Sequence, residues 1–455
     1  MAYLRKLDVA AESARKLARM RAGTHLGNLL QKLRPADIAS IFGGLTEQER
    51  SFAFNVLLGQ NEELVTETLG EMAPEVAARL LAQLDPPTIA KLLQRLPTDD
   101  ATLLASQLPP DLFESVMNLM HVDQSADVLD QLQFAEDTAG RIMTPDVFAL
   151  HEDVTISEAI ATLQRKSDEL EMVFYVYVVD DRHHLVGVVS LRELLLNPPS
   201  MPLKKIMSTD VISLPTSADQ EEVARIVSQY NFVAVPITDE ENRLVGMVTV
   251  DDVVDVIREE ATEDLYSLAG VDTEERVGTP ALRSIRLRLP WLYVNLITAV
   301  VASTVVYAFQ GTISQVVALA VLMPIVAGMG GNAAIQTLTV TVRGLALGEL
   351  SWGNTKRVIL KEVLVGIGNG IGNGLVVGLL AWLWFGRPML GVVIALAMIS
   401  NMFVAGLMGT LIPLVLKRLR ADPAVASGIF VTTFTDVCGF FSFLGLATLF
   451  LRWIQ

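Results

Sequence analysis

Asp436 stands alone in an apolar run. From Ala424 to Leu451 it is the one charged residue. It lies about 12 residues into that run, or ~18 Å at ~1.5 Å per residue, near the middle of a bilayer. An aspartate at that depth costs ~2.5–3.5 kcal/mol even on lenient insertion scales. No Lys or Arg shares the uncharged runs to neutralise it. The chemistry open to it is to hold a cation beside a watery path; a protonated or internally paired structural aspartate is the alternative. The lone cysteine, Cys438, and five scattered histidines exclude internal disulfides and thiolate or imidazole metal clusters. An oxygen-only site suits a hard cation better than zinc or copper.

A second group of carboxylates lies upstream, on a helix expected from Asp251 to about Leu268. Asp252, Asp255, Glu259, Glu260, Glu263 and Asp264 fall along one broad face. Such a face is either solvated or a cation sensor. A third pattern is Pro324, Gly328, Gly330, Gly331, Asn332 and Gln336 within one apolar segment. Proline and glycines there either turn backbone carbonyls toward a cavity or let helices pack closely. Gly366, Gly368, Gly370, Gly372, Gly374 and Gly378 read as packing positions, and Asn369, Asn373 and Asn401 as bundle-facing hydrogen bonders.

The elements that position these residues follow from hydropathy. The chain has 455 residues, 51% hydrophobic, with a mean hydropathy of +0.43. The net charge of −16 carries no nucleic-acid signature. It divides into about −24 over residues 1–279 and +8 over 280–455. No charge occurs from Leu289 to Arg343, which is room for two spans with a turn near Gln310-Gly311-Thr312. Further uncharged runs cover Val363–Gly386 and Pro388–Leu416, and the Asp436 segment makes five. Ten bases (Arg283, Arg286, Arg288, Arg343, Lys356, Arg357, Lys361, Lys417, Arg418 and Arg420) share one side; only Arg387 and Arg452 lie on the other. The positive-inside rule puts the acidic half in the cytoplasm and the C-terminus outside, in agreement with a charged Met1–Met20 that lacks a signal-peptide core.

Between Met143 and Glu260 the chain repeats itself. Arg141-Ile142-Met143-Thr144 recurs as Lys205-Ile206-Met207-Ser208, and Leu185-Val186-Gly187-Val188-Val189-Ser190 as Leu244-Val245-Gly246-Met247-Val248-Thr249. The offset falls from 64 to 59, which marks a five-residue insertion in the first copy, placed at Ser167–Glu171. Each copy reads as strand, helix, two strands and helix. The pattern resembles paired cystathionine-β-synthase-type (CBS) domains. Gly246-Met247-Val248-Thr249-Val250-Asp251-Asp252 matches that family's Gly-x-x-Thr-x-x-Asp, which implies ATP or another adenine nucleotide at Thr249 and Asp252. In the first copy Glu193 stands where the Asp belongs. Upstream, Pro74, Pro86-Pro87, Pro97 and Pro109-Pro110 mark helix starts about a dozen residues apart, a helical solenoid.

The expected fold is multi-domain. An all-α solenoid N-terminal domain (1–135) precedes α/β tandem CBS domains (136–250, as 136–200 and 201–250). A connecting plug helix (251–279) and a five-span α-helical membrane domain (280–455) follow. This order resembles the MgtE family of magnesium channels. Pro324-x-x-x-Gly328-x-Gly330-Gly331-Asn332-x-x-x-Gln336 resembles the family's span-two signature, departing at Ala334, where glycine is common. Thr433-Phe434-Thr435-Asp436-Val437-Cys438-Gly439 resembles its ion-site motif. Glu260-Ala261-Thr262-Glu263-Asp264 resembles its plug helix, and Arg420-Ala421-Asp422-Pro423 the loop whose aspartate joins that regulation.

The resemblance implies a homodimeric channel, not an enzyme, in a bacterial-type inner membrane among lipids. Its pore would be lined by Pro324, Gly328, Gly330, Gly331, Asn332, Thr432 and Thr435. Cytosolic Mg²⁺ held by Asp252, Asp255, Glu260, Glu263, Asp264 and Asp422 would close it. A broader Mn²⁺/Co²⁺ channel and a membrane-anchored nucleotide-sensing regulator are the alternatives. Asp99, Asp100 and Asp111 are poorly placed acidic neighbours for the plug.

Overall fold

The computed structural model describes residues 2–166, 173–273, 275–350, 353–419, 422–423 and 427–454. The Ser167–Glu171 insertion, and Arg420 and Ala421 of the regulatory loop motif, lie outside them. Two compact units emerge, 1–257 and 258–455.

The first unit opens with ten short helices between Ala2 and Gln131. Three begin with proline at the first turn (Pro35, Pro74, Pro110), and Pro86 opens a fourth behind an Asp85 cap. Their apolar faces (Ala77, Ala78, Leu80 and Leu81 in one, Ile89, Ala90, Leu92 and Leu93 in the next) bury into one continuous core. Side chains about 30 residues apart meet repeatedly: Arg19 with Glu49, Lys91 with Glu62, Thr102 with Gln131. For the last two pairs that interval is one solenoid turn of two helices.

The repeat folds as two three-stranded sheets. The first copy has β1 (Ala149–His151), α1 (Ile156–Arg165), β2 (Tyr175–Val179), β3 (Leu185–Ser190) and α2 (Leu191–Leu196). The second has β4 (Leu214–Pro215), α3 (Gln220–Tyr230), β5 (Ala234–Thr238), β6 (Leu244–Thr249) and α4 (Val250–Ala269). In each sheet the middle strand pairs parallel to the first and antiparallel to the third. The copies exchange their leading segments. Thr144 bridges to Met247 and Ser208 to Val188. A Cβ at Gly246 would press within 2.6 Å of Met143 Sδ, and one at Gly187 within 2.5 Å of Met207 Sδ.

The second unit holds α5 (Ala281–Ala308), α6 (Gln310–Gln315), α7 (Ala318–Ala346), α8 (Thr355–Phe385), α9 (Pro388–Arg418) and α10 (Ser427–Leu449). All but α6 are long and apolar enough to cross a membrane. Two sequence expectations change. The turn near Gln310-Gly311-Thr312 is the short helix α6. Helix α8 starts at Thr355, well before the uncharged run, so Lys361, expected between spans two and three, lies within the helix. The α8 glycines sort by register. Gly366, Gly370, Gly374 and Gly378 lie four apart and are buried against α9 backbone at Met402, Ile399, Ala395 and Gly391; Gly368 and Gly372 meet nothing within 4 Å. A Cβ at Gly370 would stand 2.7 Å from Ile399 Cα, so close helix approach requires glycine there.

Candidate functional site

Asp436 sits near the centre of α10 and is partly exposed. Two contacts fix its level against α7. A Cβ on Gly331 would lie 4.0 Å from Thr432 Cγ2. One turn past Asp436, Gly439 touches Asn401, whose other side touches Gly330. Asp436 lies between these contacts, so it stands at the height of the Pro-Gly-Asn segment. Thr432 and Thr435 turn their hydroxyls back on the helix, donating to Gly428 O (2.9 Å) and Thr432 O (2.9 Å). Thr435 is fully buried.

Along α7, Pro324, Gly328 and Asn332 recur every four residues and are all exposed in the single chain. Gly331 lies beside them toward α10, and Gly330 faces inward. A stripe of glycine and amide at mid-span is ill suited to lipid, which prefers apolar side chains.

Asn401 faces the bundle and hydrogen-bonds there, as its place in the sequence suggested. It is 1% exposed, and its Nδ2 donates to Val326 O at 2.9 Å. Both neighbouring glycines are needed: a Cβ on Gly439 would come 2.7 Å from Nδ2, and one on Gly330 would collide outright. The amide is a brace that ties α9 to α7 and fits between α7 and α10.

The acidic residues fall into two groups. In the first unit, Thr249 Oγ1 donates to Asp252 Oδ2 at 2.6 Å and also to Asp251. Burial pushes the Asp252 carboxyl up to about 6, against the lowering effect of the Thr249 bond. Asp99, at the start of helix Thr98–Ser106, is pushed well above the usual carboxylate range by burial, then by the charges of Asp252 and Asp100. Asp99 is thus near enough to Asp252 to feel its charge. Asp255 is exposed on the next turn of α4.

In the second unit, Asp264 is raised by burial and by the charge of Asp422. Glu263 is exposed and Glu260 half-buried. The last turn of α4 reaches the helix bundle. Leu268 packs on Leu338, Ala405 and Val431, and its carbonyl would lie 3.1 Å from a Cβ at Gly428. Behind it, Glu275 accepts from Ser284 Oγ (2.7 Å) and Arg288 Nη2 (2.8 Å), fastening the connector to α5. These two hydrogen bonds, the Arg288 one first, hold the Glu275 carboxyl below its usual range.

Among the described residues, no three His, Cys, Asp or Glu side chains converge as a metal cage. The acidic residues instead fall into two neighbourhoods in which carboxylates feel each other's charge, Asp99 with Asp252 and Asp264 with Asp422.

Comparison with known proteins agrees with this geometry. Residues 323–446 match the family model of MgtE divalent cation transporters, 33–137 that of the MgtE intracellular N domain, and 139–198 and 203–259 that of CBS domains. The magnesium transporter MgtE of Bacillus subtilis is 32% identical over 425 residues, 93% of this chain and 94% of that one. This chain belongs to the MgtE family. The Thermus thermophilus and Enterococcus faecalis members are each 38% identical, over 75% and 73% of this chain and 76% and 73% of theirs. A solved MgtE cytosolic domain, described as that of a Mg²⁺ channel in complex with ATP, is 33% identical. It matches with a TM-score of 0.50 over 54% of this chain and 99% of that one. Its fold corresponds to the solenoid and CBS pair, and the MgtE divalent-cation transporter match covers α7 to α10.

Proposed function

We propose that this MgtE-family chain conducts Mg²⁺ across the membrane and is closed by Mg²⁺ on the side of its acidic half. The observation that carries the reading is Asp436, a mid-span carboxylate level with the exposed glycine–asparagine stripe of α7. Two copies meeting along that stripe would form a homodimer with Pro324, Gly328, Gly331 and Asn332 on the path and two Asp436 carboxylates about one axis. Gly330 is buried against Asn401 and shapes the path without lining it. Few carboxylates and several waters suit a cation that dehydrates reluctantly.

Closure rests on the two like-charged pairs. Asp99 with Asp252, and Asp264 with Asp422, repel until a divalent cation bridges them. Glu260, Glu263 and Asp255 add charge to the same helix. Because Leu268 packs on α7, α9 and α10, bridging that stiffens α4 is felt at the helix ends. The relatives' magnesium-transporter names and the basic loops support cytoplasmic N-terminal domains, an outside C-terminus and an inner-membrane address. Thr249 and Asp252 are the pair for an adenine nucleotide, and the ATP-bound relative supports that assignment. A broader divalent channel that also passes Mn²⁺ or Co²⁺ is the alternative reading. Uptake of Mg²⁺ into liposomes carrying the purified chain, with Mn²⁺ or Co²⁺ as competitor, tests the reading. Uptake no faster than in empty liposomes refutes it.

A further inference from the structure

Helices α7 and α8 run antiparallel with a groove between them that the transport reading leaves unused. At the end of α7 near Leu322 the groove opens into a cavity of about 440 Å³, lined by Leu322, Ile325, Val377, Leu380 and Trp384. At the other end lies a second cavity of about 250 Å³ with a different lining: Gln336, Thr337, Lys361, Glu362 and Asn369. On α7 the lining positions 322, 325, 333, 336 and 340 share one helical face. On α8, positions 362, 365, 369, 377, 380 and 384 do the same. Both cavities thus lie between α7 and α8, the polar one beside the basic loops and the apolar one toward the opposite side.

Glu362 dominates the polar end. It is 5% exposed, and Oε2 accepts only a long bond of 3.4 Å from Thr337 Oγ1. Oε1 is 2.8 Å from Nζ of Lys361, whose side chain is 60% exposed. A carboxylate this buried demands a cation with hydrogen-bond donors.

We propose that this groove is a binding site for a phospholipid with a primary-amine headgroup, phosphatidylethanolamine, from the leaflet on the side of Arg343 and Lys356. Its ammonium would donate to Glu362 and to the amide oxygens of Gln336 and Asn369. Displaced, Lys361 would take the phosphate. The length agrees. From Glu362 to Val377, where the apolar cavity begins, is fifteen residues, or ~22 Å at ~1.5 Å per residue. One leaflet with its headgroup layer is half of ~40–45 Å. An acyl chain therefore ends in the apolar cavity. Phosphatidylcholine has the same charges but a quaternary nitrogen without donors. Phosphatidylglycerol brings no cation to Glu362.

The test is native mass spectrometry of the full chain equilibrated with equal amounts of phosphatidylethanolamine, phosphatidylcholine and phosphatidylglycerol. Charged hydrogen bonds set the expected preference for the ethanolamine lipid over the choline lipid at about tenfold. Glu362→Gln should bring that ratio close to one. Lys361→Met should lower retention of both lipids while keeping their ratio, and it serves alone if Glu362→Gln does not insert. An unchanged ratio in Glu362→Gln overturns the assignment, as does a ratio near one in the wild type. Cross-linking of two chains through Val377→Cys, with no lipid retained, would overturn it in favour of a second copy covering the groove.

Discussion

Replacing Asp252 with asparagine should stabilise the cation-free protein and blunt its response to Mg²⁺. The carboxyl stands at about 6 against a usual 3.8, a shift of about 2 units. At ~1.36 kcal/mol per unit, ionising it in the folded state costs about 3 kcal/mol at pH 7. The sign follows from proton binding. The folded carboxyl holds its proton to higher pH than the unfolded one. Stability is therefore intact below pH ~4, falls as pH rises to about 6, and stays low above. Asp99 beside it deepens the loss.

Asparagine can still accept from Thr249, so Asp252→Asn removes the charge and keeps the bond. Hydrogen exchange on the full chain in EDTA at pH 7.5 reads the effect. Helix Thr98–Ser106 and the first turns of α4 should exchange more slowly in Asp252→Asn than in the wild type. Millimolar Mg²⁺ should slow exchange there strongly in the wild type and weakly in the variant. Faster exchange in the variant in EDTA, or an equal Mg²⁺ response, refutes the argument that two repelling carboxylates await a cation.

Neutralising Glu260, Glu263 and Asp264 together should leave the protein conducting at internal Mg²⁺ levels that close the wild type; unaltered Mg²⁺ inhibition in flux assays would move the sensor off α4. Asn401→Ala removes a buried hydrogen bond to Val326 O and leaves a space between Gly330 and Gly439, for a loss of about 2–3 kcal/mol. It should lower the melting temperature and reduce Mg²⁺ discrimination against Mn²⁺, whereas unchanged discrimination would reduce the brace to a packing role. Gly439→Ala should resemble Asn401→Ala in flux, since its methyl would displace the same amide.

The parts of this protein legible in sequence are those with short periods. The apolar runs with room for five spans match five helices long and apolar enough to cross a membrane, and the shift in repeat offset from 64 to 59 aligned strands that pair in the same order. Gly366, Gly370, Gly374 and Gly378 share a helix face by numbering alone, which separates them from Gly368 and Gly372. Helix ends were harder. The uncharged run opens at Val363, yet the helix begins at Thr355 and holds the Lys361–Glu362 ion pair within it. Contacts made by distant segments left no local trace. Asp99 comes within reach of the Asp252 charge although 153 residues separate them in sequence, and nothing around Asn401 tells which helices it braces. The roughly 30-residue solenoid turn was likewise hidden, because its partners such as Lys91 and Glu62 are ordinary surface charges.

The central claim is that Asp436 holds the cation in transit. Purified wild-type chain and Asp436→Ala, reconstituted at equal density in liposomes loaded with a Mg²⁺-sensitive dye, test it most directly. Both should insert and show the same oligomeric size. The wild type should take up Mg²⁺ down its gradient, and Asp436→Ala should take up no more than empty liposomes. Wild-type flux through a correctly inserted Asp436→Ala would contradict the account.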